Sequence, residues 1–285
     1  MINRNRPQSA EVLLFYVRIK LKKMINKLLF KYALIIISLL LTAIAGYGQG
    51  SWVQQPNLSN TNRFHALSFS INGKGYAGMG EMISGMPLQD LWEFDPITNT
   101  WTQKASFPGQ LRSNITTFSI GNKGYAGIGE AYTGGYYNDL QEYDPLTDTW
   151  TQKANYPGLA RAHLADFSIN GKGYFGTGVR NGIIYNDFWE YDPTTDTWTQ
   201  KANFLGGVRF LANGFSIGND GYVVGGDDFQ GMFSSAYKYD PITDTRSSIA
   251  NFPYPINQTA SFTIGNRAYV TNRNRDYKFC WPKDV

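Results

Sequence analysis

The stretch that decides the fold is DPITNTW, residues 95–101, because it returns three times along the chain. It recurs as DPLTDTW at 144–150, DPTTDTW at 192–198 and DPITDTR at 240–246. Trp52, Trp101, Trp150 and Trp198 are spaced 49, 49 and 48 residues apart, and Arg246 takes the next position, 48 residues further on. A period near 50 residues predicts a repeat protein in which each unit is one small supersecondary structure.

Each unit is predicted to contain four short β-strands, which in the first unit cover 66–71, 75–80, 90–94 and 100–103. Asn72-Gly73 favours a type I′ hairpin between the first two strands, since that turn needs positive φ at both central residues. The proline of Asp95-Pro96 fixes φ at the start of a later turn. The units lack the 3.6-residue apolar period of helices. The pattern therefore predicts an all-β propeller built from four-stranded blades.

Residues 51–272 resemble the kelch-repeat family. The resemblance is carried by Gly-x-Gly or Gly-Gly at the end of the second strand, by the aromatic-Asp-Pro…Trp block, and by a tyrosine after the first hairpin. These tyrosines are Tyr76, Tyr125, Tyr174, Tyr222 and Tyr269. Two features depart from the family pattern: Arg246 replaces the last tryptophan, and three units have Gly-x-Gly in place of a glycine pair. The resemblance implies a kelch-type β-propeller of about five blades.

The two ends of the repeat region predict how the ring closes. Residues 259–264 and 267–271 repeat the first two strands, whereas the tail, 273–285, is degenerate and aligns only loosely with a third. Ser51–Gln55 has the pattern of a fourth strand with no blade before it. Pairing this N-terminal strand into the last blade would remove open sheet edges. A truncated, open array is the alternative, so the blade number stays open.

Residues 1–49 form a leader that precedes the propeller, residues 51–285. The leader carries a net charge of +7 within a chain total of +4, which leaves −3 for the remainder. Its 13-residue apolar run at 33–45, flanked by Lys27 and Lys31, predicts a cleaved secretory signal. A run shorter than about 20 residues makes a retained membrane anchor the lesser alternative. We expect an exported protein (periplasmic, cell-surface or secreted) that contacts a membrane only if the leader is retained.

Charge and cysteine content exclude several classes of protein. The propeller is mildly acidic, which does not favour nucleic acid as a partner. Cys280 is the only cysteine, so no intrachain disulfide can form. We expect a monomer stabilised by packing alone. Either Met1 or Met24 can serve as the start.

Four arginines are candidate ligand-binding residues because they occupy equivalent places in four repeats, six residues before the phenylalanine of the first strand. They are Arg63, Arg112, Arg161 and Arg209. Repetition would arrange them around one mouth of the channel, where guanidinium groups can bind carboxylates or phosphates by paired hydrogen bonds. The alternative is that each arginine pairs with an acid of a neighbouring blade. The acids proposed for this role, themselves candidate site residues, are Glu81, Glu130 and Asp227.

His65 and His163 are the only histidines, and each lies two residues after a repeat arginine. Their equivalents are Asn114 and Leu211, so the position accepts an apolar residue. Because they belong to non-adjacent blades and have no evident third ligand, we expect a structural or channel-lining role and neither a metal nor another cofactor.

The leading functional interpretation is a non-catalytic binding module for an extracytoplasmic protein or glycan, with an anionic ligand as one option. Loops on a rigid propeller are where specificity can vary, and Tyr132, Tyr136 and Tyr137 lie in one such loop. The alternative, implied by the family resemblance, is a sugar-active enzyme of the sialic acid mutarotase type. The sequence leaves the question of catalysis open and favours the binding module.

Overall fold

The computed structural model describes residues 53–58, 62–272 and 275–281, with those from 271 onward described by backbone alone. The predicted leader and Ser51-Trp52 lie outside the described residues, so the predicted signal remains a prediction. Residues 55–285 fall into one compact unit. Within the described ranges, no helix is long and apolar enough to cross a membrane.

The strands fall into five successive groups, one per repeat. The first group contains β1 (Arg63–Phe64), β2 (Leu67–Ile71), β3 (Lys74–Gly78), β4 (Glu81–Met82), β5 (Leu91–Asp95) and β6 (Thr100–Lys104). The second contains β7 (Arg112–Ser113), β8 (Thr116–Ile120), β9 (Lys123–Ala131), β10 (Tyr136–Asp144) and β11 (Thr149–Lys153).

The later groups follow the same plan. The third contains β12 (Ala165–Ile169), β13 (Lys172–Gly176), β14 (Val179–Arg180), β15 (Ile183–Ile184), β16 (Phe188–Asp192) and β17 (Thr197–Lys201). The fourth contains β18 (Asn213–Ile217), β19 (Asp220–Val224), β20 (Ala236–Asp240) and β21 (Thr245–Ile249). The fifth contains β22 (Ala260–Ile264), β23 (Arg267–Asn272) and β24 (Arg275–Trp281).

Each of the first four groups is built on a four-stranded antiparallel meander, with strand order β2-β3-β5-β6 in the first blade. Its strands differ from the predicted bounds by no more than two residues at either end. The short pairs β1–β4 and β14–β15 extend the blades at one end. The prediction of an all-β fold with four-stranded blades is confirmed.

The first full strand of each blade is the inner one. Inner strands of successive blades pack side by side in the order β2, β8, β12, β18 and β22. In β2, Leu67, Phe69 and Ile71 are buried while Ser68 and Ser70 are exposed, the two-residue alternation of a strand with one apolar face. The polar faces of the five inner strands line a central channel.

In the first three blades, the phenylalanine of the inner strand packs against a glycine of the next blade. A Cβ added to Gly124 would collide with the ring of Phe69, and one added to Gly173 would collide with Phe118. The glycine before the repeat tyrosine is therefore required by this close approach. The equivalent in the last blade, Phe262, is 43% exposed, whereas the other four phenylalanines are at most 9% exposed. The seam between the fifth and first blades is thus less tightly packed than the others.

The predicted closing strand, Ser51–Gln55, lies partly outside the described residues. In its described part, residues 53–55 carry no strand. The fifth sheet contains three strands in the part of the chain that the structure describes. The degenerate tail does supply the third of these, because β24 pairs with β23. Closure of the ring by the N-terminal strand stays a prediction.

Candidate functional site

The meander defines two faces of the propeller. Turns from the first to the second strand and from the third to the fourth lie at one end of each blade, which we call the turn face. Loops from the second to the third strand lie at the other end, the loop face, from which the chain also enters each inner strand. The channel opens on the loop face at a ring of residues that immediately precede the inner strands.

Five equivalent residues form this mouth ring, and all have left-handed backbone with φ between 48° and 60°. They are His65, Asn114, His163, Leu211 and Gln258, and all five line cavities at the mouth. Leucine rarely adopts this conformation, so the propeller imposes it. The Leu211 N–H donates to the His163 carbonyl oxygen and the Gln258 N–H to that of Leu211, both at 3.2 Å. The sequence analysis missed Gln258, although it lies four residues before Phe262, as His65 lies before Phe69.

The two histidines meet across the mouth although their blades are not adjacent. The ring centroids of His65 and His163 are 6.4 Å apart, with the rings inclined at 77°. Glu81 Oε1 lies 3.4 Å from Nδ1 of His65. Burial and the charge of His65 lower the pKa of His163 to about 4, so its imidazole is neutral at physiological pH. The inner strands converge on the axis, which is why residues 98 positions apart come into contact.

The repeat arginines lie below the loop face. Arg112, Arg161 and Arg209 are at most 1% exposed, and the side chain of Arg63 is nearly as buried. Arg63 donates from Nη1 and Nη2 to the two carboxylate oxygens of Asp90, at 2.7 and 2.8 Å.

The same pairing recurs in the next two blades. Arg112 pairs with Asp139, and Arg161 lies 2.7 Å from Asp187. Burial alone would raise the pKa of Asp90, but hydrogen bonds from Arg63 and Trp92 outweigh it and hold that pKa below its ordinary value. These arginines are internal braces within single blades.

The predicted acidic partners of the arginines were therefore wrong. Arg63, Arg112 and Arg161 each run along their own blade, and the carboxylate within reach is the one near the start of the third strand of that blade. Glu81 lies beside His65 instead, and the Asp227 carboxylate accepts from Asn257 Nδ2 at 3.2 Å. Glu130 is half-buried on the loop face, its backbone paired with Ser113.

Arg209 differs from the other three because Ser235 takes the place of the aspartate. Its Nη1 donates to the Gly225 carbonyl oxygen at 2.8 Å and to Ser235 Oγ at 3.2 Å. Its guanidinium lies 4.4 Å from the ring centroid of Phe233 and 4.7 Å from that of Phe204. Burial lowers its pKa. The fourth blade therefore contains a buried cation without a carboxylate partner among the described residues.

The channel contains one carboxylate, which the sequence analysis missed. Asp166 points from β12 into a cavity of about 490 Å³, and no other charged side chain belongs to the described lining. Burial raises the pKa of Asp166 to about 8, and a hydrogen bond from the Thr117 N–H opposes this shift. Most of the remaining polar lining is hydroxyl: Ser68, Ser70, Thr117, Ser119, Ser168, Ser216, Ser261 and Thr263. The signal was present, because the other four repeats have serine, threonine or glycine at this position.

Exposed apolar side chains occur at the tips of the second-to-third strand loops as well as on the turn face, where Ile97, Leu146 and Ile242 are exposed. Four blades each present at least one that is half or more exposed: Ile83 and Met86, Tyr132, Ile183, and Phe229 and Met232. Of the three tyrosines considered from sequence, Tyr132 is exposed, whereas Tyr137 stacks on Arg112 at 4.1 Å. The hydroxyl of Tyr136 accepts from the Asn181 N–H of the next blade at 3.3 Å.

Comparison with known proteins identifies the repeat. Residues 63–207 match the KLHDC2/KLHL20/DRC7 Kelch-repeats domain, and residues 214–253 match the Kelch motif. No curated protein matches the chain. A solved structure of YjhT superposes with a TM-score of 0.65 at 18% sequence identity, covering 76% of this chain and 74% of that one. At this identity the likeness concerns the fold alone.

Proposed function

Because the chain belongs to the kelch-repeat family, whose propellers act as interaction modules or as enzymes, we propose that it is an exported, non-catalytic module that binds a partner protein on its loop face. Kelch domains generally mediate protein–protein interactions. The observation that carries the proposal is the set of exposed apolar loop tips on four blades. Apolar side chains grouped on one surface are typical of interaction sites.

The charge of the loop face favours a partner that is apolar and basic. Glu81, Glu130, Asp227 and Asp228 are all partly exposed there. The repeat arginines, which would have attracted an anionic ligand, are buried beneath them. An acidic rim around apolar tips accelerates association with a partner of opposite charge. A glycan is the less favoured ligand, because sugars stack on aromatic rings and only two of the six exposed tip side chains, Tyr132 and Phe229, are aromatic.

Export is proposed from the leader sequence. A basic segment, an apolar run at 33–45 and small residues after it have the pattern of a secretory signal. We expect the mature protein to begin between Gly46 and Ser51. Intact mass of the protein recovered from cells checks this, and a mature chain that retains residues 32–45 would contradict it.

The loop-face proposal is tested with two matched variants. The tip variant carries Ile83→Ser, Tyr132→Ser, Ile183→Ser and Phe229→Ser. The control variant carries Ile97→Ser, Leu146→Ser and Ile242→Ser, three residues of the turn face that are each at least 86% exposed. After chemical crosslinking in the exported fraction, wild type and control should capture the same protein and the tip variant should lose it. Equal capture by all three, or none by wild type, would contradict the proposal.

The alternative function, a sugar-active enzyme, has one observation in its favour. Asp166 is a carboxyl group in a hydroxyl-lined cavity, and its pKa of about 8 is close to the pH at which a general acid–base catalyst works best. Interconversion of sugar anomers needs such a group. NMR of freshly dissolved anomers should show acceleration by the wild type and none by Asp166→Asn if this alternative holds. Equal rates with and without the protein would exclude it.

A further inference from the structure

We propose that His65 and His163 together bind one divalent metal ion of the zinc, copper or nickel type at the mouth of the channel. The inference does not depend on the identity of any protein partner. It starts from the contact that the fold creates between the chain's only two histidines.

The separation of the two rings fits a shared ion. Two imidazoles bound at about 2.0–2.1 Å to one tetrahedral Zn²⁺ hold their ring centroids about 5 Å apart, and two bound trans to one square-planar Cu²⁺ hold them about 6.4 Å apart. The observed separation of 6.4 Å matches the trans arrangement. Binding to tetrahedral Zn²⁺ requires the rings to approach by about 1 Å, through rotation of the side chains.

A carboxylate lies behind one of the two rings. Glu81 Oε1 is 3.4 Å from Nδ1 of His65, which leaves Nε2 as the nitrogen that would bind the ion. A carboxylate behind a ligating histidine orients the ring and raises its basicity. Glu81 is therefore a supporting residue of the proposed site.

The other members of the mouth ring can complete the coordination. Asn114 and Gln258 bring side-chain amides to the cavities that the two histidines line. Among the described residues, no three His, Cys, Asp or Glu side chains converge as a metal site. Amide oxygens and water therefore supply the remaining positions, which leaves the ion open to exchangeable ligands. Imidazole ligands select borderline metals over Mg²⁺ or Ca²⁺.

The repeat supplies substitutions that suit the fold. His65→Asn copies the residue at the same place in the second blade, Asn114, and His163→Leu copies Leu211 of the fourth. Each variant keeps a side chain that this propeller already accepts at that ring position. Leu146→Ser changes an exposed residue of the turn face, away from the mouth ring, and serves as the control.

The test is calorimetric titration with Zn²⁺ of protein purified without a histidine tag. Wild type and Leu146→Ser should bind one ion per chain with equal affinity. Each histidine variant should bind at least ten-fold more weakly, and the double variant should show no binding. Glu81→Gln should weaken binding by about ten-fold. Thermal melts confirm that each variant is folded.

A second measurement needs no variant. The electron paramagnetic resonance spectrum of Cu²⁺ added to the wild type should show coupling to two imidazole nitrogens, and the only two imidazoles are these. No saturable Zn²⁺ binding by wild type, unchanged affinity in the double variant, or a Cu²⁺ spectrum without nitrogen coupling would each overturn the proposal.

Discussion

Trp150 donates a hydrogen bond from Nε1 to the carbonyl oxygen of Ala105 in the preceding blade, at 2.9 Å. Asp148, two residues before Trp150, accepts from the N–H of the same Ala105 at 2.9 Å. Ala154 is held identically by Trp198 and Asp196 of the third blade. The Asp-x-Trp end of the repeat is therefore a clamp between neighbouring blades.

Replacing Arg246 with tryptophan should stabilise the protein. Arg246 stands at the clamp position of the fourth blade, nearly buried, with its guanidinium 4.4 Å from the ring centroid of Tyr239. Tryptophan would restore an Nε1 donor for the carbonyl oxygen of Ala202. It would also remove a buried charge, and such a replacement raises the free energy of unfolding by about 1–4 kcal/mol. Thermal or urea unfolding measures the change, with Trp198→Arg as the inverse control. A lower melting temperature for Arg246→Trp would contradict the clamp.

Replacing Ser235 with aspartate should also stabilise the protein. It would give Arg209 the carboxylate that the other three repeat arginines have, and a hydrogen bond to a charged group contributes about 1.5–3 kcal/mol. The pKa of the equivalent Asp90 lies below its ordinary value. A lowered pKa means that the gain is present at neutral pH and is lost as pH falls below about 4.

Ser235→Asn is the control for this effect, since it adds an amide of similar size without a charge. Urea unfolding at pH 7 and at pH 3 measures both variants. An equal gain from asparagine, or a gain that persists at pH 3, would contradict the ion-pair explanation.

Removing two of the arginine braces should destabilise the fold. In Arg112→Ala with Arg161→Ala, Asp139 and Asp187 lose their cations, and breaking a buried pair costs about 3–5 kcal/mol. The melting temperature should fall sharply, whereas Arg180→Ala, on the loop face, should change it little. If the double variant melts like wild type and loses binding of inorganic phosphate, the arginines are ligand-binding residues instead.

Asp166 should make stability depend on pH. Its folded-state pKa of about 8 lies above the ordinary aspartate pKa, so the folded protein holds a proton that the unfolded chain releases. Stability from this group is greatest below about pH 4 and falls as pH rises toward 8. In Asp166→Asn the melting temperature should depend less on pH over that interval. At pH 8 its melting temperature should be higher than that of the wild type. Profiles that stay parallel to wild type, as expected for the control Ser168→Ala, would contradict the assignment.

Deleting residues 51–55 should destabilise the ring. Trp101 donates to the Pro56 carbonyl oxygen at 2.9 Å, the same contact that Trp150 makes with Ala105. Pro56 thus occupies the place where an outer strand ends. If 51–55 is that strand, deletion exposes a sheet edge and removes the burial of Trp52, worth about 2–3 kcal/mol. A lower melting temperature and aggregation are expected, with deletion of 46–50 as control. An unchanged melt would favour an open array.

The blade could be predicted from sequence because its determinants are local. Asn72 and Gly73 both adopt positive φ in the predicted hairpin, and Asp95 accepts a hydrogen bond from the Ile97 N–H in the predicted turn. Contacts between residues that are far apart in the sequence were harder to predict. The pairing of Arg63 with Asp90 was missed because the two residues are 27 positions apart and the chain between them includes a loop whose path no local signal specifies.

By itself, the sequence determined the repeat, the strands and the residues that recur in register, since a 48- or 49-residue period and turn chemistry act within one unit. Only the tertiary structure decided which of those residues meet across the axis and which are withdrawn from solvent. His65 reaches His163 because the inner strands converge, and the repeat arginines are buried because each lies along its own blade. Burial and convergence depend on all blades at once, and no single repeat encodes them.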